Sequence, residues 1–138
     1  MIVVRILNAL HFDPRKQRFT SLAFKNSTGG GISVIHKECI QQQGNSVCEH
    51  IEHFYPPPTS SIPAIYWEFA EEQLPIGYQL EQQTSASGDH CHYNIEAISD
   101  KSAREMLLHT KLSDFQICQQ GQSRAVTLAD LVSQNDTE

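Results

Sequence analysis

Short runs rich in β-branched and aromatic residues recur along this chain, and each is too short to be a buried helix. MIVVRIL at residues 1–7 is the first of them, ISVIH at 32–36 is another, and AIYWEFA at 64–70 is a third. Runs of this length and composition, separated by Gly, Pro, Asn and Asp, are typical of β-strands. Further candidate strands of the same kind lie at residues 19–25, 77–83, 90–98 and 114–118.

Four segments have the period or the capping residues of helices. The spacing of apolar residues predicts a short helix at 37–43 and a longer one from a Ser46 cap to Tyr55. Asp100 is placed to cap a helix over residues 100–110, with Ala103 and Leu107 on its apolar side. A last short helix is predicted after a Thr127 cap. The helices at 46–55 and 100–110 are the two principal ones.

The order of these elements predicts an α+β domain. We expect a mainly antiparallel sheet of five or six strands with the two principal helices packed on one face. Two hairpins are expected in it: one joins 19–25 to 32–36 through three glycines, and the other joins 77–83 to 90–98 through a Ser/Gly/Asp-rich turn. Residues 1–138 are expected to form a single globular domain with a polar tail from about residue 133.

Composition narrows the environment in which the chain is expected to work. It is 39% hydrophobic and 19% charged, which is typical of a folded globular protein. It has neither the roughly 18 consecutive apolar residues of a membrane span nor a recognisable secretory signal, so we expect a soluble cytoplasmic protein with no membrane contact. In that reducing compartment the four cysteines are expected to be free thiols. The net charge of −6 makes nucleic-acid binding unlikely.

Residues 46–96 have an unusual charge distribution. They contain no lysine or arginine, but they hold eight of the sixteen acidic residues and four of the seven histidines. A strongly acidic surface attracts basic partners by long-range electrostatics. The sequence therefore predicts a small intracellular interaction or accessory module, with this acidic, histidine-bearing segment as its contact surface for a basic protein.

The same segment also contains a candidate metal site. His90, His92 and Glu96 fall on one face of a strand, and His50 and His53 are neighbours on a helix. Imidazole and carboxylate groups are ligands for a divalent transition metal such as zinc. These five residues therefore predict an alternative function, a metal-dependent hydrolase with a metal-activated water. A solvated polar face is the favoured interpretation of these residues, because no CxxC or HExxH motif is present.

Overall fold

The structure is a computed structural model that describes residues 1–7, 11–24, 32–56, 63–75, 77–95 and 98–135. This part of the chain contains nine strands: β1 Ile2–Leu7, β2 Phe12–Asp13, β3 Arg18–Phe19, β4 Ile32–His36, β5 Ile65–Ala70, β6 Glu81–Gln82, β7 His92–Ile95, β8 Phe115–Gln119 and β9 Gln122–Ala125. It also contains four α-helices: α1 Lys37–Gln42, α2 Val47–Phe54, α3 Asp100–Leu107 and α4 Leu128–Asn135.

Seven of these strands form one antiparallel sheet in the order β6-β7-β4-β1-β5-β8-β9, and β2 pairs with β3 separately. The central strand β1 aligns Val3 with His36 of β4 on one side and with Phe69 of β5 on the other. This arrangement confirms the predicted α+β class and the mainly antiparallel sheet, although the sheet has seven strands rather than five or six.

The additional strand is β9, which the sequence analysis did not predict. Its four residues, QSRA, are all exposed and have no alternation of apolar and polar side chains. It pairs with β8 through a turn at Gln120 and Gly121, where φ is 51° and 77°. Two successive positive φ values match the right-handed twist of a hairpin, and of the two residues only Gly121 adopts such a value without strain. The turn between β8 and β9, rather than burial of apolar side chains on β9, therefore places β9 at the edge of the sheet.

The sheet is covered on both faces, because apolar side chains occur at successive positions of its central strands. Val3, Trp67 and Ile117 point to one face, where they pack with Ala103 and Leu107 of α3. We call this the aromatic face. Its buried rings are Phe12, Phe19, Phe24, Trp67, Phe69 and Phe115.

Val4, Tyr66 and Cys118 point to the opposite face, where they pack with Ile40 of α1 and Ile51 of α2. We call this the cross-linked face, since all four cysteines lie on it or at its border. The two principal helices thus lie on opposite faces, which corrects the expectation that they share one. Successive side chains of a strand point to opposite faces of the sheet. A strand in which both sets are apolar is therefore stable only when both faces of the sheet are covered.

Residues 19–25 differ from the predicted strand. Only Arg18–Phe19 is extended, and Ser21–Phe24 forms a 3-10 helix that buries Ala23 and Phe24. The predicted hairpin between 19–25 and 32–36 is also wrong, because β4 pairs with β1 and β7. The three glycines assigned to its turn lie outside the described residues. The second predicted hairpin is confirmed by the pairing of β6 with β7.

The helices begin close to where their caps predicted. Ser46 caps α2 with a reciprocal pair of hydrogen bonds to Glu49, at 3.2 and 2.9 Å. The N-cap of α3 is Ser99 rather than Asp100, which is the first helical residue. Helix α4 continues to Asn135, so the expected polar tail begins inside a helix. None of the helices in the described ranges is long and apolar enough to cross a membrane.

Candidate functional site

Two disulfides link the helices of the cross-linked face to the sheet. Cys39 of α1 pairs with Cys91, which precedes β7, and Cys48 of α2 pairs with Cys118 of β8. The expectation of four free thiols is therefore wrong. The paired cysteines are 52 and 70 residues apart in sequence, and only the packing of α1 and α2 on the sheet brings them together.

A polar network with a fully buried His50–Asp89 pair and the partly buried Tyr55 lies beside the Cys39–Cys91 disulfide. The side chains of His50 and Asp89 are both 0% exposed. His50 Nε2 lies 2.9 Å from Asp89 Oδ2, and the Tyr55 hydroxyl donates to the same oxygen at 2.5 Å. The other oxygen, Oδ1, accepts the Cys91 N–H at 2.8 Å. These three contacts satisfy a carboxylate that would otherwise be costly to bury.

The hydrogen bonds decide the protonation of this network. Burial alone would raise the pKa of Asp89, but the bonds from Tyr55, His50 and the Cys91 N–H outweigh burial and lower that pKa below its usual value. Burial and the hydrogen bond to Asp89 raise the pKa of the Tyr55 hydroxyl far above its usual value. Asp89 is therefore an ionised acceptor, and Tyr55 is a neutral donor.

Local sequence positions each member of the network. The capped helix α2 carries His50 on its buried side, and Tyr55 is its C-cap. Asp89 closes the turn between β6 and β7, where its N–H donates to Ser85 Oγ at 3.1 Å and Gly88 adopts a φ of 90°. The network thus ties the C-terminal end of α2 to this turn, while the Cys48–Cys118 disulfide ties its N-terminal end to β8.

The residues predicted to bind metal lie in different environments. His50 is buried in the network, whereas His53 is exposed on α2. His92 is buried, with Nδ1 2.6 Å from the Gln83 carbonyl oxygen. His90 is exposed, and Glu96 lies outside the described residues.

One group of potential metal ligands emerges in the part of the chain that the structure describes. Ligand atoms of His50, Asp89 and Cys91 all lie within 4.8 Å of one another. No other group of three His, Cys, Asp or Glu residues in the described ranges meets that distance, so the predicted set does not come together there as one cluster. A weak signal for the observed group exists in the sequence, where Asp89 and Cys91 are two residues apart.

A second candidate site is a pocket of about 540 Å³ that is open to solvent beyond the start of β8. The last residue pair of β5 and β8 is Trp67 with Phe115, so the final three residues of β5 extend past its neighbour. Glu68, Asp114 and His109 line the resulting gap together with Tyr66 and Trp67. The described lining contains neither lysine nor arginine.

Both carboxylates of this pocket have a partner within the protein. Glu68 Oε2 lies 2.9 Å from Lys37 Nζ, and both side chains are partly exposed. Asp114 Oδ2 accepts the Lys111 backbone N–H at 2.7 Å. Burial raises the pKa of the Tyr66 hydroxyl, which keeps it neutral. The pocket is therefore acidic, with aromatic rings beside the carboxylates.

The fold and these two sites define the chain only as an α+β protein with a seven-stranded antiparallel sheet covered on both faces. No family model, no curated protein and no solved structure matches this chain. Any function must therefore be argued from the residues of the two sites themselves.

Proposed function

We propose that this protein is a small interaction module that binds a basic partner protein through the pocket beside β5. The observation that supports this proposal best is the composition of the lining, which includes Glu68 and Asp114 and has no lysine or arginine in the described residues. A volume of about 540 Å³ is enough for the end of a lysine or arginine side chain.

The chemistry of the pocket favours a cation over a neutral ligand. A guanidinium or ammonium group can form a charge-assisted hydrogen bond with each carboxylate of the pocket. The net charge of −6 would speed the approach of a basic partner, and salt would weaken that attraction. The Lys37 contact leaves Glu68 partly neutralised, so Asp114 would supply the less compensated charge.

The proposed contact surface is smaller than the one predicted from sequence, which was the whole acidic segment 46–96. Glu52 of that segment accepts the Gly121 N–H at the β8–β9 turn, whereas Glu81 lies on β6 at the other edge of the sheet. The acidic groups are thus distributed over opposite edges. Of this segment, the proposal retains Glu68 as the charged contact.

The alternative of a metal-dependent hydrolase receives less support. His50 and Asp89 are fully buried, so a substrate and its attacking water would have no direct access to them. A cytoplasmic location also remains a prediction, and it is in tension with two disulfides, which persist mainly in oxidising compartments.

The test compares two charge-matched double variants. Glu68→Gln with Asp114→Asn removes both pocket carboxylates, and Glu72→Gln with Glu81→Gln removes two exposed carboxylates outside the pocket. A fluorescent hexa-arginine peptide serves as the probe, and its anisotropy gives the dissociation constant at low and high salt. We expect the pocket variant to bind at least about 10-fold more weakly, and the control to lose less than about 3-fold.

Equal losses of affinity in the two variants would show that peptide binding depends on net charge alone, and the pocket proposal would then be wrong. Circular dichroism of both variants checks that the fold is retained. A hexa-glutamate peptide should not bind either protein.

A further inference from the structure

The three ligand atoms of His50, Asp89 and Cys91 have a fourth potential ligand beside them. Cys39 Sγ is covalently bonded to Cys91 Sγ, so it lies one bond length from the group. His50 and Asp89 are 0% exposed, and neither ring nitrogen of His50 makes a well-aligned hydrogen bond in the described residues, although Nε2 lies 2.9 Å from Asp89 Oδ2. A buried ring nitrogen without a partner is uncommon in folded proteins and calls for an explanation.

The dimensions of the group fit a tetrahedral metal ion. Zinc binds sulfur at about 2.3 Å and histidine nitrogen at about 2.0 Å, which places neighbouring ligand atoms roughly 3.3–3.8 Å apart. The ligand atoms of His50, Asp89 and Cys91 already lie within 4.8 Å of one another. Ligand atoms at the upper limit of that distance would move together by about 1.0–1.5 Å. The two sulfurs, which are bonded in the disulfide, would move apart to about 3.8 Å once reduced.

We propose that reduction of the Cys39–Cys91 disulfide creates a zinc-type site, in which Cys39, Cys91, His50 and Asp89 are the four ligands. In the oxidised chain the two sulfurs are bonded to each other and neither is a thiolate. The site is therefore available in one redox state only. It shares His50 with the metal set predicted from sequence, and it is independent of the pocket proposed for partner binding.

The chemical steps balance with a dithiol as the reductant. The sulfur–sulfur bond takes up two electrons and two protons, and the dithiol is oxidised to its own disulfide. A divalent ion then displaces the two thiol protons to solvent as the thiolates bind it. Two thiolates and one carboxylate around a divalent ion leave one excess negative charge.

Groups outside the four ligands are placed to stabilise that charge. The Tyr55 hydroxyl donates to Asp89 Oδ2, and the Cys91 N–H donates to Oδ1. Hydrogen bonds of this kind orient ligating carboxylates in metal sites, and their loss typically weakens metal affinity by about 10- to 100-fold. Tyr55 would thus be a positioning residue for the site.

The experiment uses the purified whole chain with cobalt(II) and zinc(II) chloride as probes. The protein is reduced with a phosphine, loaded with metal and gel-filtered, and the metal is measured by elemental analysis. We expect about one ion per chain after reduction and none in the oxidised protein. The cobalt form should show sulfur-to-metal charge-transfer absorption together with the visible bands of a tetrahedral ion.

Two variants, each lacking one disulfide, form a matched pair. Cys48→Ser with Cys118→Ser keeps all four proposed ligands and should still retain one ion when reduced. Cys39→Ser with Cys91→Ser should retain none, and Tyr55→Phe should bind cobalt about 10- to 100-fold more weakly than the reduced wild type. If a variant fails to fold, the metal content of the oxidised wild-type chain can be compared with that of the reduced wild-type chain instead.

Either of two results would overturn the proposal. One is that the reduced wild-type chain retains no metal after gel filtration. The other is that the Cys39/Cys91 variant retains as much metal as the Cys48/Cys118 variant, which would place the ion elsewhere.

Discussion

The two faces of the sheet are stabilised in different ways. The aromatic face buries closely packed rings, with the centroids of Phe19 and Phe115 4.3 Å apart and those of Phe24 and Trp67 5.9 Å apart. The cross-linked face carries short helices, two disulfides and a buried carboxylate network. Large rings remove enough apolar surface from water to hold α3 without cross-links. Helices α1 and α2 also bury Ile40, Val47 and Ile51, but covalent bonds and a buried carboxylate network add to their attachment.

This difference means that the two faces should respond to different conditions. Aromatic packing is insensitive to redox state and to the ionisation of nearby groups. The cross-linked face contains bonds that a reductant breaks and a carboxylate that acid protonates. A change of environment should therefore act on α1 and α2 first, and leave the aromatic face intact.

The largest effect is expected from breaking both disulfides. Closing loops of 52 and 70 residues is worth about 4 kcal/mol each in the chain-entropy model. Reduction of the metal-free chain, with a chelator present, should lower the free energy of unfolding by roughly 4–8 kcal/mol. Urea unfolding with and without reductant measures this. A variant with all four cysteines replaced by alanine should not respond to the reductant, and an equally large response from it would refute the explanation.

Removing a central ring should destabilise the packing of the aromatic face without affecting the cross-linked face. Phe115 is buried between Phe19 and Trp67, and Phe115→Ala should lower the free energy of unfolding by about 3–5 kcal/mol through lost burial and a cavity. The loss should be the same in oxidised and disulfide-reduced protein, because the ring contacts neither disulfide.

The control for this prediction is Leu108→Ala. Leu108 is 54% exposed, so its truncation should change the free energy of unfolding by no more than about 0.5 kcal/mol. A Phe115→Ala effect that doubled on reduction would show that the two faces are coupled, and the comparison drawn between them would be wrong.

The smallest effect is expected from removing one hydrogen bond of the buried network. Tyr55→Phe deletes the donor to Asp89 and should destabilise the protein by about 1.5–3 kcal/mol at neutral pH. The pKa of Asp89 is lowered in the folded state, so the stability that it contributes is present above its unfolded pKa of about 3.9 and is lost as pH falls through the folded pKa.

The difference between wild type and Tyr55→Phe should therefore shrink at acidic pH. Thermal unfolding midpoints from pH 7 down to about pH 3 measure this trend. Tyr78→Phe is a suitable control, since the Tyr78 hydroxyl accepts the Ser99 N–H and contacts no carboxylate in the described residues. A Tyr55→Phe difference that stayed constant down to the lowest pH would argue against an ionised Asp89.

Sequence patterns predicted the elements whose signals are local. The buried runs of β1, β4 and β5 are rich in β-branched and aromatic residues, and each forms a strand within one residue of its expected bounds. Ser46 satisfies backbone donors of its own helix, so the start of α2 could be read directly. Residues 19–25 were misread, because the buried side chains of Ala23 and Phe24 meet α3 and the sheet from a 3-10 helix rather than from a strand.

The metal ligands predicted from sequence show why the sites were harder to predict. His50 and His92 were predicted as metal ligands, and both are buried beside groups that their positions in sequence do not reveal. Tyr55 reaches Asp89 across 34 residues, and Asp89 was counted only as part of an acidic surface. Cys91 was assigned to a packed thiol, yet its sulfur is bonded to Cys39.

The sequence by itself determined the α+β class, the antiparallel sheet and the helix starts, because apolar periodicity and capping act over a few residues. Only the tertiary structure decided which helices cover which face, how the cysteines pair and where a buried carboxylate finds its donors. These contacts join residues 34 to 70 positions apart, and they form only when the strand order brings α1, α2 and the β6–β7 turn onto one face of the sheet.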